Sequence, residues 1–110
     1  NLRVLSLNGN QIAQIDNLEN LWIEELYISA NNLTAINNLQ TLPVLRTLDL
    51  SKNQITRLKG LETSETLKFL NLSLNNVKKI NQFKYIEQLP LLTEVDMCVN
   101  PIQNVKFYRQ

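Results

Sequence analysis

The chain repeats one short pattern of apolar residues that ends in asparagine, and this repetition constrains its fold more than any other feature. Leucine, isoleucine, valine or methionine occupies the first, fourth and sixth positions of the pattern, and asparagine occupies the ninth. The five asparagines are Asn10, Asn31, Asn53, Asn75 and Asn100, at intervals of 21, 22, 22 and 25 residues. Self-similarity at such a period is typical of a solenoid, in which each repeat stacks on its neighbour.

Each repeat is expected to form one strand, one bend and one return limb. The apolar pattern alternates with period two before the asparagine, as in a strand with one buried face. Afterwards the apolar spacing becomes three, as in Ile12, Ile15, Leu18 and Leu21, which suits 3₁₀ turns. The prediction is an α/β, right-handed solenoid with five parallel strands on its concave face and short 3₁₀ or α segments on its convex face. The repeats span about 2–22, 23–44, 45–66, 67–91 and 92–110 of a single domain, 1–110.

The fourth interval is three residues longer than the one before it, and residues 84–89 are expected to add a fuller helical turn. Apolar side chains of the return limbs, including Ile80, are expected to point inward. Trp22 precedes the second strand and is expected to pack at a repeat junction.

The repeated asparagines are predicted to form a structural ladder rather than a ligand site. An amide side chain has two donors and an acceptor oxygen, so it can bond backbone groups that leave the strand at the bend. Losing one of these side chains is expected to leave buried backbone groups unpaired, at a cost of roughly 1–3 kcal/mol.

Composition argues against catalysis and against a cofactor or metal. The chain has no histidine, its only glycines are Gly9 and Gly60, and its single cysteine is Cys98. Ser-His and Cys-His catalysis, a glycine-rich phosphate loop and an internal disulfide are therefore ruled out within this sequence. Asp49 and Asp96 are predicted to lie two strands apart on an open face, a poor arrangement for acid–base chemistry. No catalytic or metal-binding residue is assigned.

The repeat pattern is the leucine-rich-repeat signature. Asn100-Pro101-Ile102, followed by Tyr108-Arg109, resembles the C-terminal cap of the 22-residue intracellular class of these repeats. That class is named after a regulatory subunit of type 1 protein phosphatase, and it includes the leucine-rich-repeat light chain of axonemal outer-arm dynein, other ciliary proteins, a spliceosomal subunit and tubulin cofactors. Residues 1–7 and 23–29 are most similar to two strands of the dynein light chain.

This resemblance implies a protein-binding role, either as an axonemal or cytoskeletal adaptor or as a phosphatase-regulator-like scaffold. The alternative is a packing or targeting module of a larger multidomain enzyme, for example a guanylate-kinase-like one. The expected location is the cytoplasm, with the cilium or cytoskeleton as the specific site and the nucleus as an open alternative. The chain is expected to be a piece of a longer protein.

The concave face is the predicted partner-binding surface. Strand residues that alternate with the buried leucines line it. The predicted contacts are Glu25, Tyr27, Asp49, Phe69, Glu94 and Asp96. The aromatic rings are expected to be exposed anchors and the carboxylates to favour basic residues on a helix, strand or loop of another protein. The protein is predicted to be a monomer that binds neither nucleic acid nor membrane, in keeping with a net charge of +1.

A second charged surface is predicted beside the strands. Arg57 and Lys59 stack near Lys78 and Lys79 of the next repeat, and Lys84 extends this basic ridge. Two interpretations stay open: solvated rim charge, and a site for an acidic segment such as a tubulin tail. Nucleic acid is disfavoured because the predicted aromatics lie on the acidic face and not beside these cations.

Overall fold

The five predicted strands form one parallel sheet in a computed structural model that describes residues 2–102. The strands follow chain order across the sheet, and each pairs only with the strands of neighbouring repeats. They are β1 (Val4–Ser6), β2 (Glu25–Tyr27), β3 (Thr47–Asp49), β4 (Phe69–Asn71) and β5 (Glu94–Asp96). The predicted α/β solenoid with five parallel strands is confirmed.

The return limbs are short helical turns in the middle of the stack. Two 3₁₀ turns lie at Leu39–Thr41 and Leu61–Thr63, and a third covers Ile80–Phe83. The third leads directly into α1 (Lys84–Glu87), so the extra residues of the fourth repeat form the predicted helical turn. In the first repeat the return limb is irregular.

The core lies between the sheet and these limbs. The central strand leucines Leu26, Leu48 and Leu70 are buried, and Leu5 and Val95 of the two outer strands are half-buried because each packs against a single neighbouring strand. Burying each aliphatic side chain contributes about 1.5–3 kcal/mol, so the repeats stabilise one another by stacking. No helix within residues 2–102 is long and apolar enough to span a membrane.

Two rows of left-handed backbone turn the chain at equivalent positions of successive repeats. The residue just before each ladder asparagine has φ between 57° and 73°, whatever its type: Gly9, Ala30, Lys52, Leu74 and Val99. The second row lies before the return limbs and comprises Asn17, Asn38 and Gly60. Asparagine and glycine tolerate this conformation best, which explains the second row but not the β-branched Val99 in the first.

Two large apolar side chains lie outside the core. Trp22 is 66% exposed, since Ile23 takes the core position, and it lies at the junction of the first two repeats beside Leu2 and Glu24. Ile80 is 58% exposed, so the prediction that it points inward was wrong; the chain is extended at Lys79, just before it. Of the predicted cap, Ile102 is buried and its N–H donates to the Val77 carbonyl, 3.1 Å away. Tyr108 and Arg109 lie outside the described residues.

Candidate protein-binding site

The asparagine ladder forms the rim at which each strand ends. The Asn53 amide nitrogen donates to the carbonyls of Ile28, Leu50 and Ser51 at 2.9–3.0 Å, and its Oδ1 accepts the Leu33 N–H at 3.0 Å. Buried Asn31, Asn75 and Asn100 make the same kind of bridge between repeats. Exposed Asn10 bonds the carbonyls of Leu7 and Asn8, both in its own repeat.

The strand register brings the predicted contact residues into two parallel rows. Glu25, Thr47, Phe69 and Glu94 pair in sequence across β2 to β5. Tyr27, Asp49, Asn71 and Asp96 form the adjacent row. Because neighbouring parallel strands lie about 4.8 Å apart, each row is a ladder of side chains in van der Waals reach of one another.

Tyr27 and Phe69 are half-buried, not exposed as the sequence predicted. The Lys68 ammonium lies 5.5 Å from the Phe69 ring centroid. The Tyr27 hydroxyl donates to Glu25 Oε1 at 2.6 Å. This hydrogen bond, then burial and the charges of Glu25 and Asp49, raise the pKa of Tyr27 above its ordinary value. The phenol is therefore a neutral, fixed donor at physiological pH.

Asp49 and Asp96 have a structural role that the sequence analysis did not recognise. Oδ1 of Asp49 accepts the Ser51 N–H at 2.9 Å, and Oδ1 of Asp96 accepts the Cys98 N–H at 3.0 Å. Asn71 does the same for Ser73. An acidic or amide residue two positions before a small residue is a common local turn, and this recurring spacing is the signal that could have predicted it.

These rows enclose an open groove of about 620 Å³ on the concave face. It brings together five of the six predicted contacts, Tyr27, Asp49, Phe69, Glu94 and Asp96, whereas Glu25 lies beside it and holds the Tyr27 hydroxyl. Thr47, Asn71 and Thr93 also line the groove and were not among the predicted contacts. The lining contains three carboxylates and neither lysine nor arginine.

The acidic side chains of this groove lie on two strands that are not neighbours, β3 and β5. Asp49 and Asp96 lie two strands apart, on β3 and β5. Among residues 2–102, no group of three or more His, Cys, Asp or Glu side chains is placed to hold a metal ion. Cys98 is exposed at the groove's edge, and the neighbouring Asp96 raises the pKa of its thiol through a hydrogen bond and through its charge. A raised pKa lowers the thiolate fraction and thus the reactivity of this cysteine.

Comparison with known families agrees with the architecture. Profiles described as leucine-rich repeats match residues 1–21, 22–63 and 63–79, and together they span residues 1–79. The chain is therefore a leucine-rich-repeat protein, a class whose members typically serve as protein-interaction modules. No curated protein sequence matches the chain significantly.

Two solved structures show how far the likeness extends. The crystal structure of the Drosophila melanogaster SNF/U2A′ complex contains a chain with 30% identity and a TM-score of 0.80 over 90% of this chain. The crystal structure of the leucine-rich-repeat domain of APL1B has 26% identity and a TM-score of 0.72 over 89% of this chain. The present chain spans 59% of the first matched chain and 32% of the second.

Proposed function

We propose that this chain is a non-enzymatic interaction module that holds a helix, strand or loop of a partner protein in its concave groove. The observation that carries the proposal is the groove itself: Tyr27 lies beside Asp49 of the next strand, Phe69 lies beside Glu94 of the next strand, and no lysine or arginine lines the groove. Aromatic side chains held on a rigid sheet lose little conformational freedom on binding, which suits them to anchor a partner.

The charge of the groove defines the partner's side of the interface. Asp49, Glu94 and Asp96 make the groove lining negative, while the Lys68 ammonium, outside the lining, lies over the Phe69 ring. A partner segment that presents lysine or arginine beside an apolar side chain matches this surface, and complementary charge speeds encounter and fixes orientation. The partner's apolar side chain would pack on the Phe69 and Tyr27 rings.

The specific role proposed is an adaptor of the axoneme or cytoskeleton, or a phosphatase-regulator-like scaffold, in the cytoplasm or cilium with the nucleus as alternative. Likeness to a chain of the SNF/U2A′ complex supports the wider idea that this fold serves within a multiprotein assembly. The alternative role, a packing or targeting module of a larger enzyme, stays a hypothesis, and sequence beyond residues 1 and 110 would test it.

The proposal is tested with the double variant Tyr27→Ala/Phe69→Ala as an affinity bait. Anchor residues contribute at least about 2 kcal/mol, so each partner that occupies the concave groove should bind roughly 30-fold more weakly to the variant than to the natural chain. Bound proteins are identified by mass spectrometry, and their affinities are measured with purified components.

The matched control is Ile80→Ala/Leu91→Ala, which removes two exposed apolar side chains outside the concave groove. This control should retain every partner, and circular dichroism should give the same spectrum for all three baits. If the Tyr27/Phe69 variant folds and keeps its partners at unchanged affinity, the concave groove is not the binding site.

A further inference from the structure

A second groove, of about 590 Å³, lies beside the return limbs of the third and fourth repeats and has the opposite charge. Five cations line it: Arg57, Lys59, Lys78, Lys79 and Lys84. The rest of its lining is polar or aromatic and contains no carboxylate. It shares no lining residue with the concave groove.

Hydrogen bonds between the two repeats fix the walls of this basic groove. The Gln82 side chain accepts the Leu58 N–H at 2.9 Å, which ties the helical turn Ile80–Phe83 to the segment that carries Arg57 and Lys59. The Asn76 N–H donates to the Ile55 carbonyl at 3.0 Å. The cations are therefore carried by segments bonded to one another.

The fold does not require cations at these positions. Arg57 and Lys79 each follow a ladder asparagine by four residues, and the equivalent residue of the second repeat is Ala35. Lys59 is equivalent to Asn37. Because the second repeat stacks with uncharged residues at both places, repeat packing does not explain the positive charge.

None of the five cations forms an ion pair with another residue of the range 2–102. The ion pairs found there join Glu24 to Arg3 and to Arg46, at 3.0 and 3.9 Å, across neighbouring repeats. Neighbouring like charges repel, so clustering five of them with no ion pair to the described residues is unfavourable for the isolated chain. An anionic ligand would relieve this repulsion.

The placement of Tyr85 favours an acidic polypeptide over a single-stranded nucleic acid as the ligand of this groove. Tyr85 lines the basic groove, so the expectation that no aromatic residue lies beside these cations was wrong. However, the Lys84 ammonium lies 5.2 Å from the Tyr85 ring centroid, and the half-buried ring packs against the core. Single-stranded nucleic acids bind through aromatic faces on which bases stack, and the Lys84 ammonium already lies over one face of this half-buried ring.

We infer that the basic groove binds an acidic polypeptide segment, rich in aspartate or glutamate, at a site separate from the concave groove. Lysine and arginine at the rim of two repeats can each meet a carboxylate of an extended chain, and the amide groups of Asn76 and Asn81 offer further donors. One module then carries two partner surfaces of opposite charge.

The test uses a fluorescently labelled oligoglutamate peptide and the charge-reversal variant Lys78→Glu/Lys79→Glu, with binding followed by fluorescence anisotropy at low salt. The variant should weaken binding by about tenfold or more, because two favourable charge contacts become repulsive. The matched control Lys52→Glu/Lys68→Glu makes the same change in net charge at exposed lysines outside the basic groove and should bind nearly as well as the natural chain. Tyr27→Ala/Phe69→Ala should also bind normally, which separates this site from the concave one.

Several outcomes would overturn the inference. Equal losses in the two charge-reversal variants would mean that net charge, not the groove, attracts the peptide. Absence of binding at low salt would refute the site directly. Tighter binding of an oligouridylate than of oligoglutamate, with the same sensitivity to Lys78→Glu/Lys79→Glu, would assign the groove to nucleic acid instead.

Discussion

The ladder asparagines work at the scale of single hydrogen-bonding groups. The Asn53 amide bonds backbone groups of its own repeat and of the preceding one, and the bonded Leu33 N–H is buried. Unpaired buried amide groups are costly, so these bridges fix the bend of each repeat against its neighbour. Asn10 is exposed and, among residues 2–102, its side chain bonds only carbonyls of its own repeat, which makes it a natural comparison.

Replacing Asn53 with alanine is expected to lower the free energy of unfolding by about 1–3 kcal/mol, because the Leu33 N–H and the bonded carbonyls lose their partner. Asn10→Ala should cost less than about 0.5 kcal/mol, as surface substitutions usually do. Urea unfolding followed by circular dichroism measures both. Equal losses in the two variants would show that the interrepeat bridge adds nothing to stability.

A second expectation at this scale concerns Cys98. Asp96→Asn keeps the oxygen that accepts the Cys98 N–H but removes the charge that raises the thiol pKa. The pKa of Cys98 should fall, so at mildly alkaline pH more thiolate is present and reaction with a disulfide reagent should be severalfold faster. Asp16→Asn, in the first return limb, should leave the rate unchanged. A rate unaffected by Asp96→Asn would mean that the carboxylate does not control the thiol.

The exposure of individual side chains was the property hardest to predict from the sequence. Periodicity identifies which row a residue occupies, but it does not tell how much of the residue its row neighbours cover. Trp22 and Ile80 point outward although their rows contain apolar residues, and Tyr27 and Phe69 are half-buried although their rows face outward. The exposure of a side chain depends on the distances between repeats, and these distances cannot be obtained from a single sequence.

At the scale of elements, the strands follow directly from the alternating pattern, since a shift of one residue would turn every leucine outward. The return limbs follow less directly, because a spacing of three suits both 3₁₀ turns and irregular chain. In the third repeat the 3₁₀ turn Leu61–Thr63 follows Gly60, which has a φ of 110°. Gly60 also lies against the Ile36 backbone of the preceding repeat, where a larger residue would not fit.

Gly60→Ala is expected to lower the free energy of unfolding by at least about 2 kcal/mol. A Cβ at this position would collide with the Ile36 carbonyl oxygen, in addition to the cost of its left-handed backbone. Gly9→Ala is the control: its Cβ would meet nothing within 4 Å, and Ala30 already occupies the equivalent position, so about 1 kcal/mol is expected. Denaturant midpoints that fall equally would contradict the close-packing explanation.

At the scale of the whole molecule, a net charge of only +1 hides two grooves of opposite sign. Stacking explains how this arises, since a charge placed at one position of successive repeats becomes a row on one surface. The sequence could therefore predict both charged rows by aligning repeats. It could not predict the presence of Tyr85 beside the cations, because that depends on the helical turns of the fourth repeat.

The most direct test of partner binding in the concave groove is photo-crosslinking from within it. Thr47 lies in the groove, between Glu25 and Phe69 of the same row, whereas exposed Gln40 lies on a return limb. With benzoylphenylalanine at position 47, the chain should crosslink to the partner recovered by the natural bait, and with the same group at position 40 it should not. Crosslinking from position 40 alone, or equally from both positions, would contradict binding in the concave groove.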